Sequence, residues 1–298
     1  MPPSETSLVI AHPIAKPATI GVNRMQLTTT SNDNLPLRVA TFDTLAEGLD
    51  YAARGATGCN FFSERGRPAH SLTYREIREG ALDLALRLSA AGLDRGARVA
   101  LIAETRPEFL ITFFACQYAG LIPVPLPLSV NLGGRESYVT RLAAMMGRAH
   151  ASVAITSEEL LPMLQEAAAQ AGIDRVGSYS DFSALPYAGG EIRPLGKDEP
   201  AYIQFSSGST SLPRGVMVTQ KSIMANARAI GQHGLQLRPD DRATSWLPLY
   251  HDMGLVGFCL TPAMAQCSVD YLATTTFARR PLLWLQTLSD QGGTIAFA

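Results

Sequence analysis

The sequence has few cysteines, no long apolar run and almost no net charge, and each of these absences excludes a class of protein. Its four cysteines among 298 residues show neither a C-x-x-C pair nor zinc-finger spacing. We therefore predict reduced, buried thiols and a cytoplasmic location. No apolar run approaches the ~20 residues that a membrane span needs, so we expect no stable membrane insertion. The formal charge of −1 lacks the basic excess typical of proteins that bind nucleic acid.

The two ends of the chain lack features that complete domains usually have. Residues 1–36 are rich in Pro, Thr, Ser and Asn without periodicity, and we expect a flexible lead there. This lead has no basic start and only a short apolar patch, so it is a poor secretory signal. At the other end, the apolar run 294–298 stops at Ala298 without a turn or polar tail. We expect that the chain is cut short within a domain.

Helix and strand patterns alternate through the rest of the chain. Thr73 and Glu76 have the spacing of a capping box, and Pro107 stands at a helix start. The apolar runs 98–103 and 152–156 lack a polar face, which is typical of parallel strands covered on both sides. We predict an α/β fold with two mostly parallel sheets flanked by helices.

The alternation is interrupted once. Residues 173–200 are rich in Gly, Pro, Ser and Asp and carry no regular pattern, which predicts a connection. We predict a first α/β subdomain over 37–200, including this connection, and a second over 201–298. The second begins with a strand at 201–205, and Thr219 is placed to cap its first helix.

The loop after that strand, "FSSGSTSLPRG" (205–215), is rich in hydroxyl groups. Glycines allow backbone N–H groups to approach an anion, hydroxyls donate hydrogen bonds, and Arg214 adds a fixed charge. A flexible Ser/Gly linker has a similar composition. Apolar strand runs flank this loop, however, and Pro213 restrains it. We predict a polyphosphate site, although no G-K-[ST] of a Walker A loop follows Gly208 and no G-x-G-x-x-G follows a strand.

A second polar turn lies in "SWLPLYHDMGLVGFCL" (245–260). His251 and Asp252 are either a surface pair in which Asp252 caps the next helix, or a site in which His251 donates a hydrogen bond to a carboxylate. Four apolar residues surround this turn: Trp246, Met253, Phe258 and Met264. They either pack in the core or form the walls of an apolar site, and Met253 and Phe258 are the candidates for such walls.

Both motifs resemble those of the adenylate-forming enzymes, the superfamily of acyl-CoA synthetases, peptide-synthetase adenylation domains and luciferases. "YIQFSSGSTSLPRGVMVTQKSI" resembles their phosphate-binding signature, which usually ends in Thr-Gly-x-Pro-Lys-Gly. Here Ser211 stands at the second loop glycine, and Arg214 replaces the lysine with a planar fork. "LPLYHDMGL" resembles their Leu-Pro-x-aromatic-His motif, and Tyr-His-Asp-Met-Gly is similar to fatty acyl-AMP ligases. The resemblance extends over about 41–298.

This resemblance implies activation of a fatty acid by ATP and Mg²⁺ as an acyl-adenylate, followed by transfer to the phosphopantetheine thiol of an acyl carrier protein. Such enzymes serve lipid, polyketide or non-ribosomal peptide biosynthesis. His251 is the implied catalytic residue, orienting the acyl carboxylate. The implied ATP-phosphate ligands are Ser206, Ser207, Gly208, Ser209, Thr210, Ser211, Arg214 and Gly215. The implied acyl-site residues are Trp246, Tyr250, His251, Asp252, Met253, Gly254 and Phe258.

The same resemblance places other parts of the enzyme after Ala298: the metal-binding glutamate, the ribose-binding aspartate and the C-terminal domain with its catalytic lysine. We therefore predict no metal ligand in this chain and expect it to be the incomplete large N-terminal domain, inactive alone. Two alternatives remain. One is an acyl-CoA synthetase or another carboxylate-adenylating enzyme, and the other is a non-catalytic interaction module derived from such an enzyme.

Overall fold

A computed structural model describes residues 28–29, 35–128, 134–187, 189–206 and 214–297. The α-helices are α1 (Leu45–Ala52), α2 (Tyr74–Ala90), α3 (Pro107–Ala119), α4 (Gly134–Ala149), α5 (Leu161–Ala171), α6 (Tyr179–Ser183), α7 (Gln220–Arg228), α8 (Thr261–Met264), α9 (Thr274–Arg279) and α10 (Leu282–Asp290). Two further segments, Ala229–Gly234 and Met253–Leu260, are π-helical. The β-strands are β1 (Gly58–Phe62), β2 (Pro68–Thr73), β3 (Arg98–Ile102), β4 (Ile122–Leu126), β5 (Ala151–Thr156), β6 (Val176–Ser178), β7 (Pro200–Ser206), β8 (Arg214–Thr219), β9 (Arg242–Ser245), β10 (Ser268–Leu272) and β11 (Ile295–Ala296).

The predicted α/β fold is confirmed, and its parallel character is clearest in a sheet of order β4-β3-β5-β6. In β3, Val99 and Leu101 pack into the core that contains α2 and α3. The alternate residues Ala100 and Ile102 pack on the opposite face with α4 and α5. All four side chains are 0% exposed. Burial on both faces is the physical reason that this strand has no polar side.

A second sheet has the order β11-β9-β10-β1-β2, in which only the β1–β2 pair is antiparallel. Helices α2 and α3 pack between this sheet and the four-stranded one. Because β1 and β2 precede residue 200 and the other strands follow it, this sheet draws on both sides of the predicted division. The subdomain boundaries remain a prediction.

A buried ion pair joins β9 to β10. Arg242 donates two hydrogen bonds of 2.6 Å to the carboxylate of Asp270, and the side chains are 3% and 0% exposed. Asn60 of β1 donates to Asp270 at 2.7 Å, and Arg242 also donates to the Thr28 carbonyl at 3.0 Å. These bonds satisfy charges that burial would otherwise make costly.

Strands β7 and β8 form an antiparallel hairpin beside β4. Its connecting loop, 207–213, lies outside the described residues. Strand β8 is open to solvent, with Val216 51% and Met217 48% exposed. The hairpin therefore presents one end, and the residues that flank the loop, at the surface.

Several local signals are confirmed. Thr73 accepts the N–H of Glu76 at 3.2 Å, and the Glu76 carboxylate accepts the N–H of Thr73 at 2.7 Å, as in a capping box. Pro107 begins α3, and Thr219 accepts the N–H of Ser222 at the start of α7.

The prediction that 173–200 lacks regular structure is wrong at β6 and α6. Ser178 and Asp181 form a second capping box there, because the short polar side chains serve the backbone of a helix start. Near the end of the chain, α9 ends at Arg279 and a separate helix, α10, begins at Leu282. Pro281 lies at that break. In the part of the chain that the structure describes, no helix is long and apolar enough to cross a membrane.

Candidate functional site

The end of the β7–β8 hairpin holds the first group of predicted site residues. Ser206 and Arg214 are cross-strand partners, and the Ser206 hydroxyl lies 3.5 Å from the Arg214 carbonyl oxygen. Gly215 is opposite Phe205, and a Cβ at Gly215 would lie 3.1 Å from Ile203 and 3.3 Å from the Phe205 ring. Glycine thus allows the two strands to pack closely beside an exposed guanidinium. The remaining predicted phosphate ligands lie outside the described residues: Ser207, Gly208, Ser209, Thr210 and Ser211.

The second group lies in the turn between β9 and the π-helical segment. Leu249 is fully buried and anchors the turn. The His251 N–H donates to the Pro248 carbonyl at 3.1 Å, and the His251 carbonyl accepts the N–H of Leu255 at 2.8 Å. A Cβ at Gly254 would lie 2.1 Å from the Pro248 oxygen, so this turn requires glycine. The backbone therefore holds His251 from both sides.

His251 and Asp252 contact each other, as in the first alternative considered from sequence, in which they form a surface pair and Asp252 caps the next helical segment. Nδ1 of His251 lies 2.5 Å from Oδ1 of Asp252, and the same oxygen accepts the N–H of Met253 at 2.7 Å. Asp252 thus caps the helical segment and also orients the imidazole. Because the His251 side chain is 51% exposed and uses Nδ1 for Asp252, Nε2 is the ring nitrogen available to a ligand.

One side chain connects the two groups. Nε2 of Gln204, in β7, donates to the Tyr250 carbonyl at 3.3 Å. Burial raises the pKa of Tyr202, also in β7, and the nearby Asp252 carboxylate raises it further. The strand that leads into the hydroxyl-rich loop is therefore a neighbour of the His251 turn. Sequence reasoning missed Gln204, whose only signal is an amide inside an otherwise apolar strand.

The apolar residues predicted for the acyl site lie in different surroundings. The Trp246 ring stacks on Phe277 with 3.7 Å between the ring centroids, which is a packing contact. Phe258 is 3% exposed in the main core, and its carbonyl accepts the Tyr271 hydroxyl at 2.6 Å. Met253, next to His251, is 42% exposed. Of these three, Met253 alone presents a largely exposed apolar side chain beside the His251–Asp252 pair.

Comparison with known proteins shows the family of this chain. Residues 54–298 match the family model described as AMP-binding enzyme. The chain belongs to the AMP-binding enzyme family.

Curated relatives include proteins that act on fatty acids. A protein of Caulobacter vibrioides, provisionally named acyl-CoA synthetase, is 45% identical over 276 residues, which are 92% of this chain and 48% of that protein. A medium-chain-fatty-acid–[acyl-carrier-protein] ligase of Moorena producens is 29% identical over 262 residues, which are 83% of this chain and 43% of the ligase. The chain thus spans about half the length of the curated relatives it matches.

Solved structures agree on the fold. A chain from a study of fatty acyl-adenylate ligases from E. coli and L. pneumophila is 45% identical, with a TM-score of 0.84 over 88% of this chain and 47% of the other. A fatty acyl-adenylate ligase of L. pneumophila in complex with acyl adenylate and pyrophosphate is 22% identical. It shares the fold with a TM-score of 0.74, over 86% of this chain and 44% of its own.

Proposed function

We propose that this chain is the phosphate- and acyl-binding half of a fatty acyl-AMP ligase, which activates a fatty acid with ATP and passes the acyl group to an acyl carrier protein in the cytoplasm. The contact between Gln204 and Tyr250 carries the proposal, because it brings the hairpin and the His251 turn together. The 45% identity to a structure from work on fatty acyl-adenylate ligases supports a fatty acid as the substrate.

Catalysis of this reaction depends mainly on positioning the carboxylate and ATP and on neutralising the charge of the phosphates. The fatty carboxylate is a weak nucleophile that attacks the α-phosphate of ATP, and the bond to the departing pyrophosphate breaks. Arg214 and Ser206, at the exposed end of the hairpin, fit the binding of the β- and γ-phosphates, since a guanidinium pairs with phosphate oxygens through two donors. The contacts predicted from Ser207 to Ser211 stay predictions. When bound with ATP, Mg²⁺ neutralises charge on the phosphates.

We assign His251 to the carboxylate of the fatty acid. When the His251 ring is doubly protonated, Nδ1 donates to Asp252 and Nε2 donates to the carboxylate of the fatty acid. Asp252 thus fixes the orientation of the ring, and the ring holds the fatty carboxylate in place. Met253 offers apolar surface beside it for the first methylene groups of the chain. Tyr250 and Gly254 take part in the backbone contacts of this turn, whereas Trp246 packs on Phe277 and Phe258 packs in the main core.

His251→Ala should therefore weaken the binding of octanoate to the 298-residue chain about tenfold, the value of one lost charge-assisted hydrogen bond. ATP binding should not change. Isothermal titration with each ligand measures both affinities. His70→Ala, an exposed histidine on β2, is the matched control and should change neither. Equal octanoate affinity in the wild-type and His251→Ala proteins would contradict the role of His251.

Because the chain covers 48% of its C. vibrioides relative, we propose that adenylation needs a second half. The test joins this chain to the remaining residues of that relative and measures fatty-acid-dependent exchange of pyrophosphate into ATP. We expect exchange by the chimaera and none by the 298-residue chain. Exchange that does not depend on a fatty acid would contradict the substrate, and a folded chimaera without exchange, as judged by circular dichroism, would favour a non-catalytic module.

The second candidate is an acyl-CoA synthetase, favoured by the name of the C. vibrioides relative. The two enzymes differ in the thiol that accepts the acyl group. Transfer from the preformed acyl-adenylate to a carrier protein and to coenzyme A should be compared on the same chimaera. Transfer to coenzyme A at the same rate as to the carrier protein, or faster, would replace our first assignment with the second.

A further inference from the structure

Two segments at one edge of the five-stranded sheet form a basic surface that includes apolar side chains. One is the β1–β2 turn at 63–67, and the other, at 279–285, comprises the end of α9 and the start of α10. Nη1 of Arg280 donates to the Glu64 carbonyl at 2.9 Å, and a Cβ at Gly66 would lie 2.3 Å from Leu283. The two segments therefore pack together. We call this surface the basic face, and its exposed members are Arg65, Arg67, Arg279, Arg280, Leu282 and Leu285.

The basic face carries an excess of positive charge around exposed apolar residues. Its two segments contain four arginines and a single acid, Glu64, whose pair with Arg279 is 3.4 Å long and open to solvent. The side chains of Arg65 and Arg67 have no hydrogen-bond or ion-pair partner among the described residues. Leu282 is 69% exposed and Leu285 49%, and their spacing of three residues makes them neighbours on α10. Exposed apolar side chains with a charged rim mark an interaction surface.

The basic face lies at the same edge of the sheet as the His251 turn. Strands β1, β10 and β9 are parallel neighbours, so their carboxyl ends meet at one edge, and β1 lies about 10 Å from β9. The basic face follows β1 and β10, whereas the His251 turn follows β9. Trp246 of that turn stacks on Phe277 of α9, and its carbonyl accepts the Thr274 hydroxyl at 2.9 Å. Packing thus fixes α9 against the turn.

The chemistry of the basic face favours an acidic protein as its occupant. A second copy of this chain in a symmetric dimer would bring arginines against arginines, and like charges repel. A helix that binds a membrane surface needs a broad apolar face. In α10, however, Leu283 and Trp284 pack inward, which leaves only two leucines exposed in this segment. An acidic helix with apolar side chains among its carboxylates fits both features, because a guanidinium binds a carboxylate through two donors.

We propose that the basic face is the docking surface for an acidic helix of the acyl carrier protein. Its arginines pair with carboxylates of that helix, and Leu282 and Leu285 contact the apolar side chains between them. The inference rests on the proposed function, in which the carrier protein accepts the acyl group. It adds the place of docking, at the edge of the sheet where we assign the fatty carboxylate to His251.

The test is isothermal titration of the 298-residue chain with the phosphopantetheine-loaded acyl carrier protein of C. vibrioides. Arg279→Glu and Leu282→Ser should each weaken binding about tenfold, a common effect of losing a central interface contact. Glu64→Gln should strengthen binding about threefold, because it removes the one acid of the basic face. Damage to the fold cannot produce that gain. Added salt should reduce the effects of Arg279→Glu and Glu64→Gln and leave that of Leu282→Ser in place.

Arg238→Glu and Leu235→Ser are the matched controls. Both residues are exposed in the segment that enters β9, at the opposite edge of the sheet, and both variants should bind as the wild type does. Equal weakening by the controls, or no binding of the carrier protein by the wild-type chain, would overturn the docking surface. Sedimentation with phosphatidylglycerol vesicles that Leu282→Ser abolishes, in a chain that does not bind the carrier protein, would assign the face to a membrane instead.

Pyrophosphate exchange by the chimaera separates this inference from the proposed function. Exchange needs no carrier protein, so Arg279→Glu and Leu282→Ser should leave it unchanged while they slow acyl transfer to the carrier protein. Exchange by a chimaera whose transfer is equally fast in these variants would overturn the inference and leave adenylation standing. Absence of exchange would count against the proposed function, whatever the titrations show. Binding by the 298-residue chain but not by the chimaera would mean that the second half covers the basic face, and would overturn the inference.

Discussion

Asp270→Asn is expected to lower the free energy of unfolding by about 3–5 kcal/mol, the usual cost of breaking a buried ion pair from one side. Arg242 is 3% exposed and directs two hydrogen bonds of 2.6 Å at this carboxylate. An asparagine leaves the guanidinium charged and uncompensated in the core. It also replaces an acceptor of Asn60, so a second buried donor is disturbed.

Urea denaturation followed by circular dichroism measures this loss. Glu64→Gln is the surface control, because the Glu64–Arg279 pair is 3.4 Å long with both side chains over 70% exposed. Its loss should stay below about 1 kcal/mol. Adding Arg242→Met to Asp270→Asn should restore part of the stability, since it removes the unpaired charge. A loss below about 1 kcal/mol for Asp270→Asn alone would contradict the argument.

Local interactions explain what the sequence predicts well. Thr73 and Glu76 satisfy each other's backbone within three residues, so their pattern is readable without knowing the fold. The four residues of β3 after Arg98 are apolar because helices cover both faces of this strand. Such signals depend only on neighbours in the chain or on the presence of a core.

Strands β1 and β10 could not be predicted in the same way. Each contains a polar residue, Asn60 or Asp270, that is 0% exposed. These residues are tolerated because they bond to each other across 210 positions of sequence. No local pattern indicates a buried polar pair formed at such a distance.

The candidate site likewise has one part that the sequence indicates and another that only the fold brings together. The turn at His251 and Asp252 is local, and its chemistry is visible in the sequence. The contact from Gln204 to Tyr250, and the cavity that Arg98 and Arg214 both line, depend on how β7 and β8 pack beside the four-stranded sheet. Sequence thus indicated candidate residues, and the fold determines which of them are neighbours.

Gly254→Ala is expected to destabilise the protein by about 2–3 kcal/mol and to displace His251. The new Cβ would lie 2.1 Å from the Pro248 carbonyl oxygen and 2.8 Å from the carbonyl carbon, and both belong to backbone that no side-chain rotation can move away. The same oxygen accepts the N–H of His251 at 3.1 Å. Relief of the clash therefore has to open the turn that positions the imidazole.

Gly257→Ala is a closely matched control. It makes the same change in the same π-helical segment, but its Cβ would meet nothing closer than Met253 at 4.0 Å. Because the helix propensity of alanine is more favourable than that of glycine by about 1 kcal/mol, this variant should be at least as stable as the wild type. Urea denaturation compares the stabilities, and octanoate titration on the folded proteins reports the position of His251. If Gly254→Ala matched Gly257→Ala in both measurements, the turn would have room for a side chain and Gly254 would have no positioning role.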